Sequence, residues 1–201
     1  MTREIIAILR GVQSHEICDI ADVLITTGIT KIEVPLNSPD PFATIALLVS
    51  HAGDRAVVGA GTVLDTDAVA RLAEIGAQMV VSPDACAEVI TATKAAGMLS
   101  YPGVMTPTEC FAALRAGADG IKLFPAFKLG LDGLAAIKAV LPAETKTYAV
   151  GGVEPANFAD WQAAGVTGFG IGSGIYKVGF SPDDVKTRAE EIVAAYDAAF
   201  A

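Results

Sequence analysis

The chain has 201 residues, of which 52% are hydrophobic and 18% charged, and its formal net charge is −9. This composition excludes a disordered chain, and the length favours a single domain over residues 1–201. The acidic balance disfavours nucleic acids and anionic membranes as partners, because both bind basic surfaces. No apolar run approaches the roughly 18 residues of a membrane helix, and the N-terminus lacks a signal-peptide pattern. We therefore expect a cytoplasmic protein whose three scattered cysteines stay reduced.

Short apolar, β-branched runs alternate with longer amphipathic segments along the chain. The runs predict strands near 5–9, 31–36, 56–60, 79–82, 99–103, 120–124, 146–150 and 168–172. The segments between and after them predict helices near 14–27, 40–51, 65–75, 85–96, 107–117, 131–141, 155–164 and 182–199. Ser14, Asp65 and Thr106, with Glu109 three residues later, stand at expected helix starts. Eight strand–helix units of about 25 residues each predict a (β/α)8 TIM barrel.

An open, doubly wound parallel sheet has the same alternation of strands and helices. Such a sheet often carries a GxGxxG motif at its first strand–helix turn, and this chain has none there. The count of eight units also fits closure into a barrel. The sequence therefore favours the barrel over the open sheet.

Polar residues near the ends of the predicted strands are the candidates for a functional site, because barrel enzymes carry their chemistry at the C-terminal strand ends. These residues are Arg10, Glu33, Thr62, Ser82, Tyr101 and Lys122. Lys122 lies within GIKLFPA (120–126), and Glu33 lies within KIEVPL (31–36). Side chains alternate across a strand, so both residues point into the barrel if their apolar neighbours face the helices.

Two interpretations of this pair are open at this point. A buried Lys–Glu ion pair could serve only to tie two strands together. Alternatively, burial and a second cation such as Arg10 lower the pKa of Lys122, and the neutral amine forms a Schiff base with a carbonyl substrate. Glu33 would then transfer the protons of an aldol reaction that needs no metal. His15 and His51 lie away from the strand ends and lack metal-ligand spacing, so we expect no metal site.

Two glycine-rich segments, AVGGV (149–153) and GIGSG (170–174), follow or end the last two predicted strands. Loops at these positions commonly bind phosphate through backbone N–H groups. Glycines also form tight turns in proteins that bind no phosphate. Two such loops at adjacent strand ends favour a phosphate site formed by Gly151, Gly152, Gly172 and Ser173.

The motifs together resemble one enzyme family over nearly the whole chain. They are LRG (9–11), IEVPLNSP (32–39), GAGTVL (59–64), PGVMTPTE (102–109), IKLFPA (121–126), AVGGV (149–153) and GIGSGIY (170–176). This set is similar to the 2-keto-3-deoxy-6-phosphogluconate/galactonate aldolase family. The resemblance implies a homotrimeric barrel and a class I aldolase without a cofactor. Its substrate would be a phosphorylated keto-deoxy sugar acid, cleaved to pyruvate and D-glyceraldehyde 3-phosphate.

The resemblance also implies a role for each matching residue. Lys122 would form the Schiff base and Glu33 would be the general acid/base. Thr62 would help to hold the pyruvate carboxylate, and Arg10 would bind substrate oxygens. The four residues of the two glycine-rich segments would hold the phosphate.

Two positions separate the branches of the family and bear on the choice of epimer. Gluconate-type members usually carry arginine where this chain has Asn37, and threonine where it has Val150. These departures favour the galactonate branch, with a gluconate-type or dual-epimer enzyme as the alternative. Lys128 could reach the phosphate or point into solvent. The rival hypotheses are a phosphate-binding isomerase or epimerase and a non-catalytic sugar-phosphate binding barrel.

Overall fold

The computed structural model describes residues 3–201, and these residues form a closed parallel barrel surrounded by helices. The strands are β1 Ile5–Ile8, β2 Lys31–Pro35, β3 Val57–Gly61, β4 Met79–Val81, β5 Leu99–Tyr101, β6 Gly103–Val104, β7 Ile121–Leu123, β8 Thr147–Val150 and β9 Gly168–Ile171. The helices are α1 Ile17–Thr27, α2 Pro41–Ala52, α3 Thr66–Ile75, α4 Ala87–Ala95, α5 Pro107–Arg115, α6 Ala126–Lys138, α7 Phe158–Ala163 and α8 Pro182–Ala199.

The barrel closes because its two terminal strand segments are consecutive in the chain. The hydrogen-bonded order runs β5-β4-β3-β2-β1-β9-β8-β7-β6, and only Pro102 separates β5 from β6. Proline has no backbone N–H, so it interrupts the ladder of an otherwise single fifth strand. The strand is still joined on both sides: Ser82 N donates to Tyr101 O at 3.2 Å, and Lys122 N donates to Pro102 O at 2.8 Å. The predicted eight-stranded barrel is thus confirmed, with one strand divided.

The side chains of the strands separate into an outer and an inner apolar layer. The outer layer packs against the helices and includes Ile32 and Val34 of β2 together with Ile121 and Leu123 of β7. The inner layer is formed by residues inside the barrel, namely Ile6, Met79, Val81, Tyr101 and Tyr148. Lys122 pairs in register with Tyr148, and Glu33 pairs with Gly59, which in turn pairs with Met79. Because paired residues in a parallel sheet face the same side, Lys122 and Glu33 point inward.

Helix starts agree with the sequence where a side chain caps the helix. The Asp65 carboxylate accepts from Ala68 N at 2.8 Å, and Thr106 and Glu109 form a capping box before α5. The prediction for Ser14 was wrong: α1 begins at Ile17, and the Ser14 hydroxyl hydrogen-bonds to the Thr44 hydroxyl at 2.8 Å.

Two predicted helices have different bounds in the structure. The sixth begins at Ala126 rather than near residue 131 and bends at Gly130, whose φ of 70° and ψ of 175° are not helical. The seventh is helical only over Phe158–Ala163, because Pro155–Asn157 form a 3-10 turn. Between residues 3 and 201, no helix is both long and apolar enough to cross a membrane.

Candidate active site

A cavity of about 460 Å³ opens at the C-terminal ends of the strands, the end of the barrel at which the sequence places the chemistry. It lies around the ends of β1, β8 and β9 and the loops that follow them. Five of the eight residues predicted for the site line it: Arg10, Gly151, Gly152, Gly172 and Ser173. Lys122, Glu33 and Thr62 do not line it. Lys122 adjoins the cavity through Phe124, a lining residue whose ring centre lies 4.6 Å from Lys122 Nζ.

The Lys122 amine is held inside the barrel. The residue is only 8% exposed, and its Nζ donates a hydrogen bond to the backbone oxygen of Ser82 at 3.3 Å. Burial lowers the pKa of the Lys122 amine below its usual range; Glu33 opposes this shift and Arg10 adds to it. A larger fraction of this amine is therefore neutral, and able to act as a nucleophile, than of a lysine in water.

The Glu33 carboxyl group is the most enclosed charge-bearing group of the site. The residue is 2% exposed, and its Oε2 atom accepts no hydrogen bond from the described residues. Burial raises the pKa of Glu33 to about 7, although the charges of Lys122 and Arg10 act in the opposite direction. A carboxyl group with a pKa near 7 can both donate and accept a proton at neutral pH, which is what a general acid/base needs.

Arg10 stands at the rim of the cavity, where its exposed guanidinium hydrogen-bonds to the Asn37 side-chain oxygen. The neighbouring backbone is also tied to the β2–α2 loop, because Gly11 N donates to Ser38 Oγ at 2.9 Å. Asn37 thus accepts a hydrogen bond from a cationic side chain, that of Arg10, which lies just after β1. The sequence analysis singled out both Arg10 and Asn37, but it did not predict the hydrogen bond between them.

The two glycine-rich segments lie side by side along the cavity. Gly151 and Gly152 have positive φ values of 92° and 75°, a conformation that glycine adopts without strain. Their carbonyl oxygens accept from Phe127 N and Asn157 Nδ2, each at 3.1 Å. Because these oxygens are engaged elsewhere, the loop can present N–H groups to an anion.

Thr62 follows β3 directly and adopts an unusual backbone conformation. Its φ is 56°, which is rare for a β-branched residue and costs on the order of 1–3 kcal/mol. Only one other non-glycine residue in the described part of the chain, Asp40, has a positive φ. Strain of this kind gathers at functional sites and supports a role for the residue, although its side chain does not line the cavity.

Comparison with known proteins identifies the family. The model of the KDPG and KHG aldolase family matches residues 1–188. The chain belongs to this family. A Rhizobium meliloti (strain 1021) protein named "Probable 2-dehydro-3-deoxy-6-phosphogalactonate aldolase" is 50% identical over 100% of this chain and 94% of its own length. The Escherichia coli (strain K12) 2-dehydro-3-deoxy-6-phosphogalactonate aldolase is 42% identical, covering 96% of this chain and 94% of its own.

A solved structure described as native KDPGal is 41% identical and superposes with a TM-score of 0.98. The match covers 100% of this chain and 97% of the solved one. The superposition therefore extends over the whole barrel, including the loop between β9 and α8.

The β9–α8 loop of this aldolase-family chain supplies lining residues that the sequence analysis missed. They are Tyr176, Lys177 and Val178. The Tyr176 hydroxyl donates to Glu16 Oε1 at 2.6 Å and so ties this loop to the segment before α1. The available sequence signal for Lys177 was a basic residue three positions after the end of the second glycine-rich segment. Lys128, in contrast, does not line the cavity and lies against the ring of Phe127.

Metal-ligating residues do not gather anywhere in the described chain. Among residues 3–201, no group of three or more His, Cys, Asp or Glu side chains is placed to hold a metal ion. His51 instead lies 2.9 Å from Asp22 Oδ1, where Arg55 also binds. The ionisable groups held inside this end of the barrel are the Lys122 amine and the Glu33 carboxyl group, and the cavity beside them is lined by Arg10 and the two glycine-rich segments.

Proposed function

We propose that this protein is a class I aldolase that cleaves 2-dehydro-3-deoxy-6-phospho-D-galactonate to pyruvate and D-glyceraldehyde 3-phosphate. The observation that carries the proposal is the buried Lys122 amine, with Glu33 inside the same barrel end and a cavity beside it. A buried structural ion pair would be expected to hold both charges, whereas here burial drives both groups toward their neutral forms.

The first half of the reaction forms the Schiff base. Neutral Lys122 attacks the C2 ketone of the substrate, and the resulting carbinolamine loses its hydroxyl group as water to give an iminium ion. Glu33 provides the proton for this loss and becomes a carboxylate. Thr62, at the adjacent strand end, and Arg10, at the rim, are proposed to bind the carboxylate and other oxygens of the substrate.

The second half breaks the carbon–carbon bond. The Glu33 carboxylate takes the proton of the C4 hydroxyl, and the electrons of the C3–C4 bond move into the iminium, which becomes an enamine. D-Glyceraldehyde 3-phosphate leaves. The protonated Glu33 returns its proton to C3, and hydrolysis of the imine frees pyruvate and the Lys122 amine.

The phosphate of the substrate is proposed to lie at the far end of the cavity. Gly151, Gly152, Gly172 and Ser173 would supply backbone N–H groups and one hydroxyl, and Lys177 would supply a positive charge. Local groups must bind the anion because the whole chain carries a net charge of −9.

The galactonate epimer is preferred in this proposal. The two relatives named for phosphogalactonate support it, and so does Val150, an apolar residue that lines the cavity where gluconate-type members carry threonine. One hydroxyl contact contributes on the order of 1 kcal/mol, which corresponds to a preference of about fivefold. Values of kcat/KM for the two epimers, measured side by side, test this preference; faster cleavage of the gluconate would assign the alternative specificity.

Reductive trapping tests the Schiff base directly. The protein is incubated with pyruvate and borohydride, and its mass is then measured. We expect addition of one reduced pyruvyl group at Lys122, loss of this addition and of turnover in Lys122→Ala, and no loss in the control Lys128→Ala. An unmodified wild-type chain would rule out the aldolase and favour an isomerase or a binding protein.

We further propose a homotrimer that acts in the cytoplasm. Phe127 and Leu131 of α6 are 60% and 38% exposed, which fits an apolar contact surface. The free cysteines Cys18, Cys86 and Cys110 fit a reducing compartment. Sedimentation equilibrium should give three times the chain mass of 20.6 kDa; a monomeric mass would contradict the trimer.

A further inference from the structure

Gly61, the last residue of β3, has no conformational need to be glycine. It lies in a strand and does not have a positive φ. Its carbonyl oxygen accepts a regular hydrogen bond from Leu36 N at 2.8 Å. An L-amino acid can adopt this backbone conformation without strain, so glycine at this position needs another explanation.

The explanation is the space next to its Cα atom. A Cβ atom built on Gly61 would overlap with the carboxyl carbon and both carboxyl oxygens of Glu33. The three nearest atoms therefore all belong to the one group that the proposed mechanism uses for proton transfer. The carboxyl group of Glu33 occupies the place of the missing side chain.

Gly59, two residues earlier on the same strand, provides a contrast. A Cβ atom at Gly59 would overlap with the backbone carbonyl group of Met79, which cannot move without moving β4. At Gly61 the opposing atoms are the end of a flexible side chain, and such a group can turn away. An added methyl group at Gly61 should thus displace Glu33 and leave the strands in place.

We propose that Gly61 is a positioning residue for catalysis: by lacking a side chain, it creates the site in which the Glu33 carboxyl group is held relative to Lys122. The proposal rests on the aldolase function proposed above. It adds a determinant of the geometry of proton transfer that touches neither substrate nor Lys122. A displacement of about 1 Å in such a group can cost on the order of 10²-fold in rate.

Exchange of the pyruvate methyl protons with deuterated water tests this inference without the full substrate. This exchange needs the Schiff base at Lys122 and then a group that removes a methyl proton. For Gly61→Ala we expect exchange to be slowed on the order of 10²-fold. The amount of pyruvate trapped by borohydride after long incubation should stay equal to that of the wild type, and the urea midpoint should be close to the wild-type value.

A double-mutant cycle on stability supplies a readout that is independent of activity. If the methyl group at position 61 meets only the Glu33 carboxyl group, it should leave the urea midpoint of Glu33→Ala unchanged. Should Gly61→Ala fail to fold, adding Glu33→Ala should restore folding. Gly59→Ala is the matched control and should lower the midpoint equally in both backgrounds.

Failure of this inference is distinguishable from failure of the proposed function. If wild-type Lys122 is not trapped by pyruvate and borohydride, the aldolase proposal fails. If the wild type is trapped but Gly61→Ala exchanges protons at the wild-type rate, the positioning role of Gly61 is overturned. It is also overturned if Gly61→Ala clearly lowers the urea midpoint of Glu33→Ala, in which the carboxyl group is absent.

Discussion

At the scale of single residues, the proposed site contains two ionisable groups, Lys122 and Glu33, whose usual pKa values are far apart. Burial in the barrel brings these pKa values closer together. Burial lowers the pKa of Lys122 and raises that of Glu33 to about 7, because removal from water disfavours both charged forms. Groups with closer pKa values exchange protons with a smaller free-energy cost. The same burial lowers the stability of the fold, since each charged form would be better solvated in the unfolded chain.

The stability cost of Glu33 should depend on pH in a defined direction. The folded protein binds the Glu33 proton more tightly than the unfolded chain, in which the pKa is near its usual value of about 4.5. Between these pKa values the unfolded chain loses its proton first, so wild-type stability falls as pH rises from about 4.5 to 7. Glu33→Gln carries no such proton. We expect Glu33→Gln to be more stable than the wild type by about 3 kcal/mol at pH 8, with little difference at pH 4.5.

Urea unfolding at the two pH values measures this difference. Glu74→Gln, which removes one exposed carboxyl group, is the matched control for the change in net charge. A stabilisation of Glu33→Gln that is the same at both pH values would show that the benefit comes from packing and not from the buried proton.

At the scale of elements, the sequence predicted what local chemistry determines. Eight strands could be located because their apolar runs are short and are separated by helical segments, and α3 and α5 could be placed from Asp65 and Thr106. The start of α6 could not, because Gly130 breaks the periodicity although the chain is already helical from Ala126. The division of the fifth strand at Pro102 depends on which neighbours the strand pairs with, and the local pattern does not contain this information.

The residues of the candidate site divide in the same way, into those that the local pattern predicts and those that depend on distant parts of the chain. The inward orientation of Lys122 and Glu33 could be predicted, because their apolar neighbours on the same strands face the helices. The place of Tyr176 beside the cavity could not, because its hydroxyl group hydrogen-bonds to Glu16, 160 positions away in the chain. The role proposed for Gly61 could not be predicted from the local sequence either, because the Glu33 carboxyl group beside it belongs to another strand.

The β9–α8 loop should therefore contribute to phosphate binding through Lys177. We expect Lys177→Ala to raise KM for the phosphorylated substrate about fivefold, because an exposed charge pair contributes about 1 kcal/mol, and to leave kcat unchanged. Pyruvate trapping should be unaffected, since pyruvate carries no phosphate. Lys128→Ala, which removes an equal charge outside the cavity, should change neither constant. An equal rise of KM in both variants would indicate a long-range effect of net charge.

At the scale of the whole molecule, the two ends of the barrel differ in structure and in the role that we expect of each. The C-terminal end holds the cavity, whereas the N-terminal end is filled by a polar network around Glu4. Its carboxylate accepts from Lys31, from the Tyr148 hydroxyl at 2.7 Å and from Lys146 at 3.4 Å. Lys31 is only 8% exposed, and Glu4 is the carboxylate with which it forms an ion pair. Burial alone would raise the pKa of Glu4, but the hydrogen bonds from Lys31 and Tyr148 outweigh it and hold the pKa below its usual value.

Removing the charge of Glu4 should consequently lower stability and leave catalysis unchanged. Glu4→Gln keeps the size of the side chain but leaves Lys31 buried without a counter-charge, which we expect to cost about 2 kcal/mol in the free energy of unfolding at pH 7. Because the pKa of Glu4 is lowered in the fold, this difference should be complete above about pH 4.5 and disappear as Glu4 is protonated at lower pH. The values of kcat and KM of the folded fraction should equal those of the wild type.

The exposed pair of Arg3 and Asp197, at 2.6 Å near the same end, provides the control. Asp197→Asn breaks this pair, and since its carboxylate is 51% exposed the loss should be below about 1 kcal/mol. Urea unfolding of the two variants, together with kinetics on the folded protein, compares a buried network with a surface ion pair. Equal stability losses would mean that Lys31 finds solvent when Glu4 is neutral, and a fall in kcat would mean that the two ends of the barrel are coupled through the inner layer of side chains.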